Sequence, residues 1–108
     1  NIISGVTART GSNGNAYGIH TESNPTGTLS GNLIRGLQRQ GTGTQYGIYN
    51  SNSGRISLVD NDLTSSAATG AVGLRCHNNQ GSARGNVING FANGLINCTP
   101  DGGNVVAQ

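Results

Sequence analysis

Two short motifs alternate along this chain, and their alternation predicts an all-β fold: a single-stranded parallel β-helix of about four coils, with three short strands per coil. The first motif is an Asn with an aliphatic residue two positions on: Asn1-Ile2-Ile3, Asn32-Leu33-Ile34, Asn61-Asp62-Leu63, Asn86-Val87-Ile88 and Asn104-Val105-Val106. The second sets an aliphatic residue directly after Gly: Gly18-Ile19, Gly47-Ile48, Gly73-Leu74 and Gly94-Leu95. No helical period competes, because Gly interrupts every window before two helical turns can form.

Each coil begins at its Asn, and after the first copy the Asn is entered through a turn residue: Gly31, Asp60, Gly85 or Gly103. A strand follows, then a variable loop (Ala8 to Ala16, Gln38 to Gln45, Ser66 to Ala71, nearly vanishing at Ala92), then the Gly-aliphatic strand. A third strand closes the coil at Gly27 to Gly31, at Arg55 to Asp60 and, weakly, at Ser82 to Gly85. Asn-to-Asn spacing contracts from 31 to 29, 25 and 18 residues, mostly within the first loop, where surface chain tolerates it.

Side chains alternate across a strand, so three columns should point inward: Ile3, Ile34, Leu63, Ile88 and Val106; Ile19, Ile48, Leu74 and Leu95; Leu29, Leu58 and Ala83. An antiparallel sandwich would not require the same motifs to return in the same order, whereas stacked coils do. The column Asn1, Asn32, Asn61, Asn86, Asn104 then reads as a ladder. Asn should adopt left-handed angles at the bend, bond nearby backbone, and bond its counterparts up the stack.

Composition narrows the function classes. The net charge of +2 comes from six Arg and no Lys against Glu22, Asp60, Asp62 and Asp101, too dispersed for a nucleic-acid surface. No apolar run approaches the ~20 residues of a membrane helix. The chain reads as one domain, 1–108, processed or excised from a longer solenoid, since it starts inside one repeat strand and stops inside another. End-to-end stacking or trimerisation would cover the open coils.

The elements Gly-Asn-x-(Ile/Leu)-x-Gly and Tyr-Gly-Ile-Tyr resemble the parallel β-helix repeat of the right-handed, pectate-lyase-like superfamily, over essentially the whole chain. The resemblance implies a right-handed coil. It leaves activity open, because that superfamily holds pectin and alginate enzymes, phage tailspikes, adhesins and periplasmic proteins. The motifs typical of polygalacturonases, calcium-dependent pectate lyases and alginate epimerases are not recognisable in this chain.

The outward side of the Gly-aliphatic strand gathers the best chemistry. Alternation puts His20, Tyr49 and Arg75 in one column, with Glu22, Ser51 and His77 two residues on. Acid, base, cation and ring would share one face, which makes His20, Tyr49, Arg75 and His77 the candidate catalytic residues and Glu22 a candidate binding residue. Asp60-Asn61-Asp62 is the one acidic cluster, and only Asp62 projects outward, which makes Asp62 a candidate binding residue. It supplies too few oxygens for calcium, so no metal or cofactor is expected. Arg9, Arg35 and Arg39 lie in or beside the longest loops and suit the carboxylates of an acidic polysaccharide, which makes Arg35 and Arg39 candidate binding residues. Tyr17 and Tyr46 should stack as equivalents in successive coils.

Cys76 falls in the inward column with Asn50 and Asn97, and Cys98 outward beside His77, so the expectation is a buried thiol rather than a bridge, unless the chain bends near Asn97. Thr7, Thr21, Thr44 and Thr64 share no column, which argues against an ice-binding array. The leading functional expectation is a secreted, cell-surface or virion module that binds polysaccharide along an outer face and is not catalytic by itself. Two alternatives stand: a structural shaft or adhesin segment such as part of a phage tail protein, and a polysaccharide lyase, hydrolase or epimerase with atypical catalytic residues.

Overall fold

The computed structural model describes residues 1–8, 14–39, 42–52, 54–66 and 70–107; the loop tips and Arg9 lie outside the described residues. Its strands are β1 (Ile2–Ser4), β2 (Thr7–Ala8), β3 (Ala16–Thr21), β4 (Gly27–Ser30), β5 (Leu33–Arg39), β6 (Gln45–Asn50) and β7 (Ile56–Val59). They continue with β8 (Asp62–Ser65), β9 (Ala71–Arg75), β10 (Gly81–Arg84), β11 (Val87–Asn89), β12 (Asn93–Ile96), β13 (Cys98–Pro100) and β14 (Val105–Ala107).

Three parallel sheets wrap one core. The post-Asn strands stack as β1-β5-β8-β11-β14, with β2 also on β5; the Gly-aliphatic strands stack as β3-β6-β9-β12; the closing strands stack as β4-β7-β10-β13. This is the expected β-helix of about four coils with three strands per coil. A fourth closing strand, β13, has no counterpart in the sequence reading, because Cys-Thr-Pro lacks the aliphatic residue that marks the others.

The inward columns fall in the expected register. Ile3 pairs with Ile34, Ile34 with Leu63, Leu63 with Ile88, and Ile88 with Val106. Ile19, Ile48, Leu74 and Leu95 form the second column, and Leu29, Leu58 and Ala83 the third. Middle coils are sealed: Ile34, Ile48, Leu58, Leu63, Leu74, Ala83 and Ile88 are fully buried. Phe91, in the shortest loop, joins this core and had no sequence signal beyond its being the one Phe.

The ladder is present, with a correction to its backbone. Asn32, Asn61 and Asn86 are buried, and each donates from both its main-chain N–H and Nδ2 to Oδ1 of the next ladder Asn at 2.8–3.1 Å. The left-handed angles, however, belong to the residue before each Asn: Gly31 (φ 64°), Asp60 (52°), Gly85 (66°) and Gly103 (70°). The preceding residue makes the bend, which leaves each Asn free to aim its amide along the stack.

Candidate functional site

The Gly of the second motif decides what the outer face carries. A Cβ on Gly47 would lie 2.1 Å from Leu63 Cδ2 and 2.6 Å from the Gly73 carbonyl oxygen; one on Gly73 would lie 2.5 Å from Ile88 Cγ2. The column Gly18, Gly47, Gly73, Gly94 is therefore where the opposite sheet's aliphatic column rests directly on backbone. Because this glycine and the next aliphatic residue both face inward, strict alternation fails at that point. Tyr17 and His20, three positions apart, consequently emerge on the same outer face.

Four rings gather there. Tyr17 stacks on His20 (centroids 4.4 Å apart) and on Tyr46 (5.3 Å), while Tyr49 stacks on Tyr46 (4.7 Å) and on His20 (5.3 Å), with all these planes within 19° of parallel. The expected Tyr17–Tyr46 stack is one side of this larger panel. Arg75 closes it from the next coil: its guanidinium carbon lies 5.1 Å from the Tyr49 ring centre, and Nη1 donates to Tyr46 Oη at 3.0 Å. Beside Arg75 opens a depression of about 300 Å³ lined by Tyr49, Ser51, Arg75, Cys76, His77, Asn78 and Asn97.

The predicted column of His20, Tyr49 and Arg75 is thus assembled, with Ser51 and His77 at its rim. His20 Nε2 lies 2.9 Å from Ser51 Oγ and 3.5 Å from Glu22 Oε1. Ser51 Oγ also lies 3.2 Å from the Thr21 carbonyl, to which it can donate. A nucleophile–base–acid relay sets the acid on the ring nitrogen opposite the hydroxyl, whereas Glu22 and Ser51 both lie on Nε2. His77 Nε2 is bonded to Asn78 Nδ2 at 3.0 Å.

Arg35 and Asp62 were both read as binding residues, and they bind each other. Arg35 Nη1 and Nη2 reach the two Asp62 oxygens at 3.0 and 2.9 Å, and Nη1 also donates to Thr64 Oγ1 at 2.7 Å. The hydrogen bond to Asp62 raises the Arg35 pKa above its ordinary value. This pair lies on the outer face of a different sheet, away from the ring panel. Arg39 ends β5, where it pairs with Ala8.

The cysteines are corrected outright: Cys76 and Cys98 form a disulfide with Cα atoms 4.9 Å apart. Asn97 takes a left-handed turn (φ 55°), which starts β13 and swings Cys98 inward to pair in register with Gly81. A Cβ on Gly81 would sit 2.6 Å from Cys76 Sγ, so its absence makes room for the bridge. Strand alternation carried past Asn97 put Cys98 on the wrong side. Among the described residues no group of three or more His, Cys, Asp or Glu could hold a metal ion.

No protein-family model matches this chain, and neither a curated protein nor a solved structure matches it.

Proposed function

We propose that the protein binds an acidic polysaccharide along the outer face of the β3-β6-β9-β12 sheet, with Arg75 receiving a sugar carboxylate. The observation that carries this is an unneutralised cation set among rings. Among the described residues Glu22 lies beside His20 and Asp62 pairs with Arg35, no carboxylate is paired with Arg75, and no acidic side chain lines the depression beside it. A guanidinium with one donor committed to Tyr46 retains others for a carboxylate. Tyr49 offers an apolar wall, and Ser51, His77, Asn78 and Asn97 offer hydroxyl partners.

We assign the fold to the right-handed, pectate-lyase-like group on the same motifs, and place the protein outside the cell, on its surface or on a virion. The disulfide supports an oxidising compartment. One other reading, a structural shaft in which the stack is itself the function, is favoured by the three continuous parallel sheets and the buried Asn ladder that runs through them.

Calorimetric titration with polyuronate oligosaccharides and their neutral counterparts separates these readings. Arg75→Ala should weaken polyuronate binding by about tenfold or more, the loss of a charge-assisted hydrogen bond, and Arg75→Lys should restore part of it. Equal binding of the neutral series, or unchanged binding by Arg75→Ala, would remove Arg75 from the role. No binding to any glycan would leave the shaft.

A further inference from the structure

The closing sheet β4-β7-β10-β13 carries a depression of its own, of about 390 Å³. His77 and Asn78 wall the depression beside Arg75, and the next two residues, Asn79 and Gln80, wall this one. A single turn, closed by the Gln80 N–H on the His77 carbonyl at 2.9 Å, therefore separates the two.

The floor follows from strand alternation. In β7, Ile56 and Leu58 are buried and Ser57 between them faces out; in β10, Gly81 and Ala83 are buried and Ser82 faces out. In β13 the disulfide holds Cys98 inward and Thr99 is exposed. Ser57, Ser82 and Thr99 are register partners, so three hydroxyls stand in one row across successive coils, about 4.8 Å apart. Ser82 Oγ lies 3.4 Å from Ser57 Oγ, a long contact that leaves both hydroxyls able to bond a ligand.

Arg55 stands at the edge of this row, immediately before β7 and level with Gln80, because Ile56 pairs with Gly81. Its side chain is exposed. Among the described residues no carboxylate is paired with it, and no acidic side chain lines the depression. The lining thus combines one cation with hydroxyls and carboxamides that each donate and accept, and it holds no aromatic ring. A nucleobase or an acyl chain would need a ring or an apolar wall, which is missing, since Ile56 is turned into the core. A small polyhydroxylated acid fits: the guanidinium forks onto its carboxylate, and the hydroxyl row meets its ring hydroxyls.

We propose that this depression is a second acidic-sugar site, with Arg55 holding the carboxylate and Ser57, Ser82 and Thr99 the ring hydroxyls. The choice of a sugar acid rests in part on the reading of the Arg75 face; the site itself has its own residues.

Amide chemical shifts of the isotope-labelled chain, titrated with digalacturonate, test it. Two separate sets should move: Ser57, Ser82 and Thr99 in one, Tyr49, Ser51 and His77 in the other. Arg55→Ala should weaken the first by about tenfold or more and leave the second unchanged, and Arg75→Ala should do the reverse. Arg84→Ala removes the same charge from the closing sheet outside the depression, and it should change neither. Silence at the first set while the second responds would overturn this site and leave the Arg75 reading standing. A response at the first set alone would support this site and remove Arg75 from its role, and silence at both would overturn both. Equal weakening by Arg84→Ala would show attraction by net charge, and equal shifts with sodium sulfate or with neutral digalactose would show a bare anion site or a site indifferent to charge; each would overturn the proposal.

Discussion

A buried amide is costly unless each of its hydrogen-bonding groups finds a partner, and the ladder satisfies this residue by residue. Asn61 accepts from Asn32 N and Nδ2 and donates to Asn86 and to the Leu29 carbonyl. Asn61→Ala orphans buried groups on both adjacent coils and should cost about 3 kcal/mol in urea unfolding, whereas Asn104→Ala, beside solvent, should cost about 1 kcal/mol. Equal losses would show that the ladder is not a continuous buried network. The role of these residues was legible because an identical polar residue returned at each bend. Their backbone angle was not: the φ > 0 position belongs to Gly31, Asp60, Gly85 and Gly103, one residue earlier.

At the level of the strand, register was readable and sidedness only partly so. Alternation placed every inward aliphatic column correctly, because a one-residue slip would turn a whole strand inside out. It could not show Tyr17 beside His20, since that depends on Gly18 and Ile19 both facing inward, a consequence of how closely a second sheet approaches. Gly47→Ala tests this approach. The new methyl would overlap Leu63 and the Gly73 carbonyl, at a cost of about 3 kcal/mol by thermal unfolding. Gly31→Ala, with open space but φ 64°, should cost about 1 kcal/mol. The ring panel would also be disturbed in Gly47→Ala, visible as altered near-ultraviolet dichroism of the tyrosines. The candidate site was thus half legible: His20, Tyr49 and Arg75 by alternation, the four-ring panel only through packing.

Taken whole, the molecule is a short stack closed laterally by its three sheets and tied near its tail by Cys76–Cys98. The bridge spans 22 residues, and opening it should lower stability by about 3 kcal/mol, read as a fall in the urea midpoint when reductant is added. An unchanged midpoint would mean that the tail coil contributes nothing to the cooperative unit. The bridge escaped sequence reading because it turns on the conformation of one residue, Asn97. The same columns have an engineering consequence. Since residues 32–60 form one coil whose two ends meet their neighbours in the register used throughout, an in-frame duplicate of that segment can be spliced in after Asp60. The product would be longer by about 4.8 Å, one strand spacing, and would carry another Tyr46–Tyr49 pair on the same outer face, so the ring panel is a part that can be lengthened by copying.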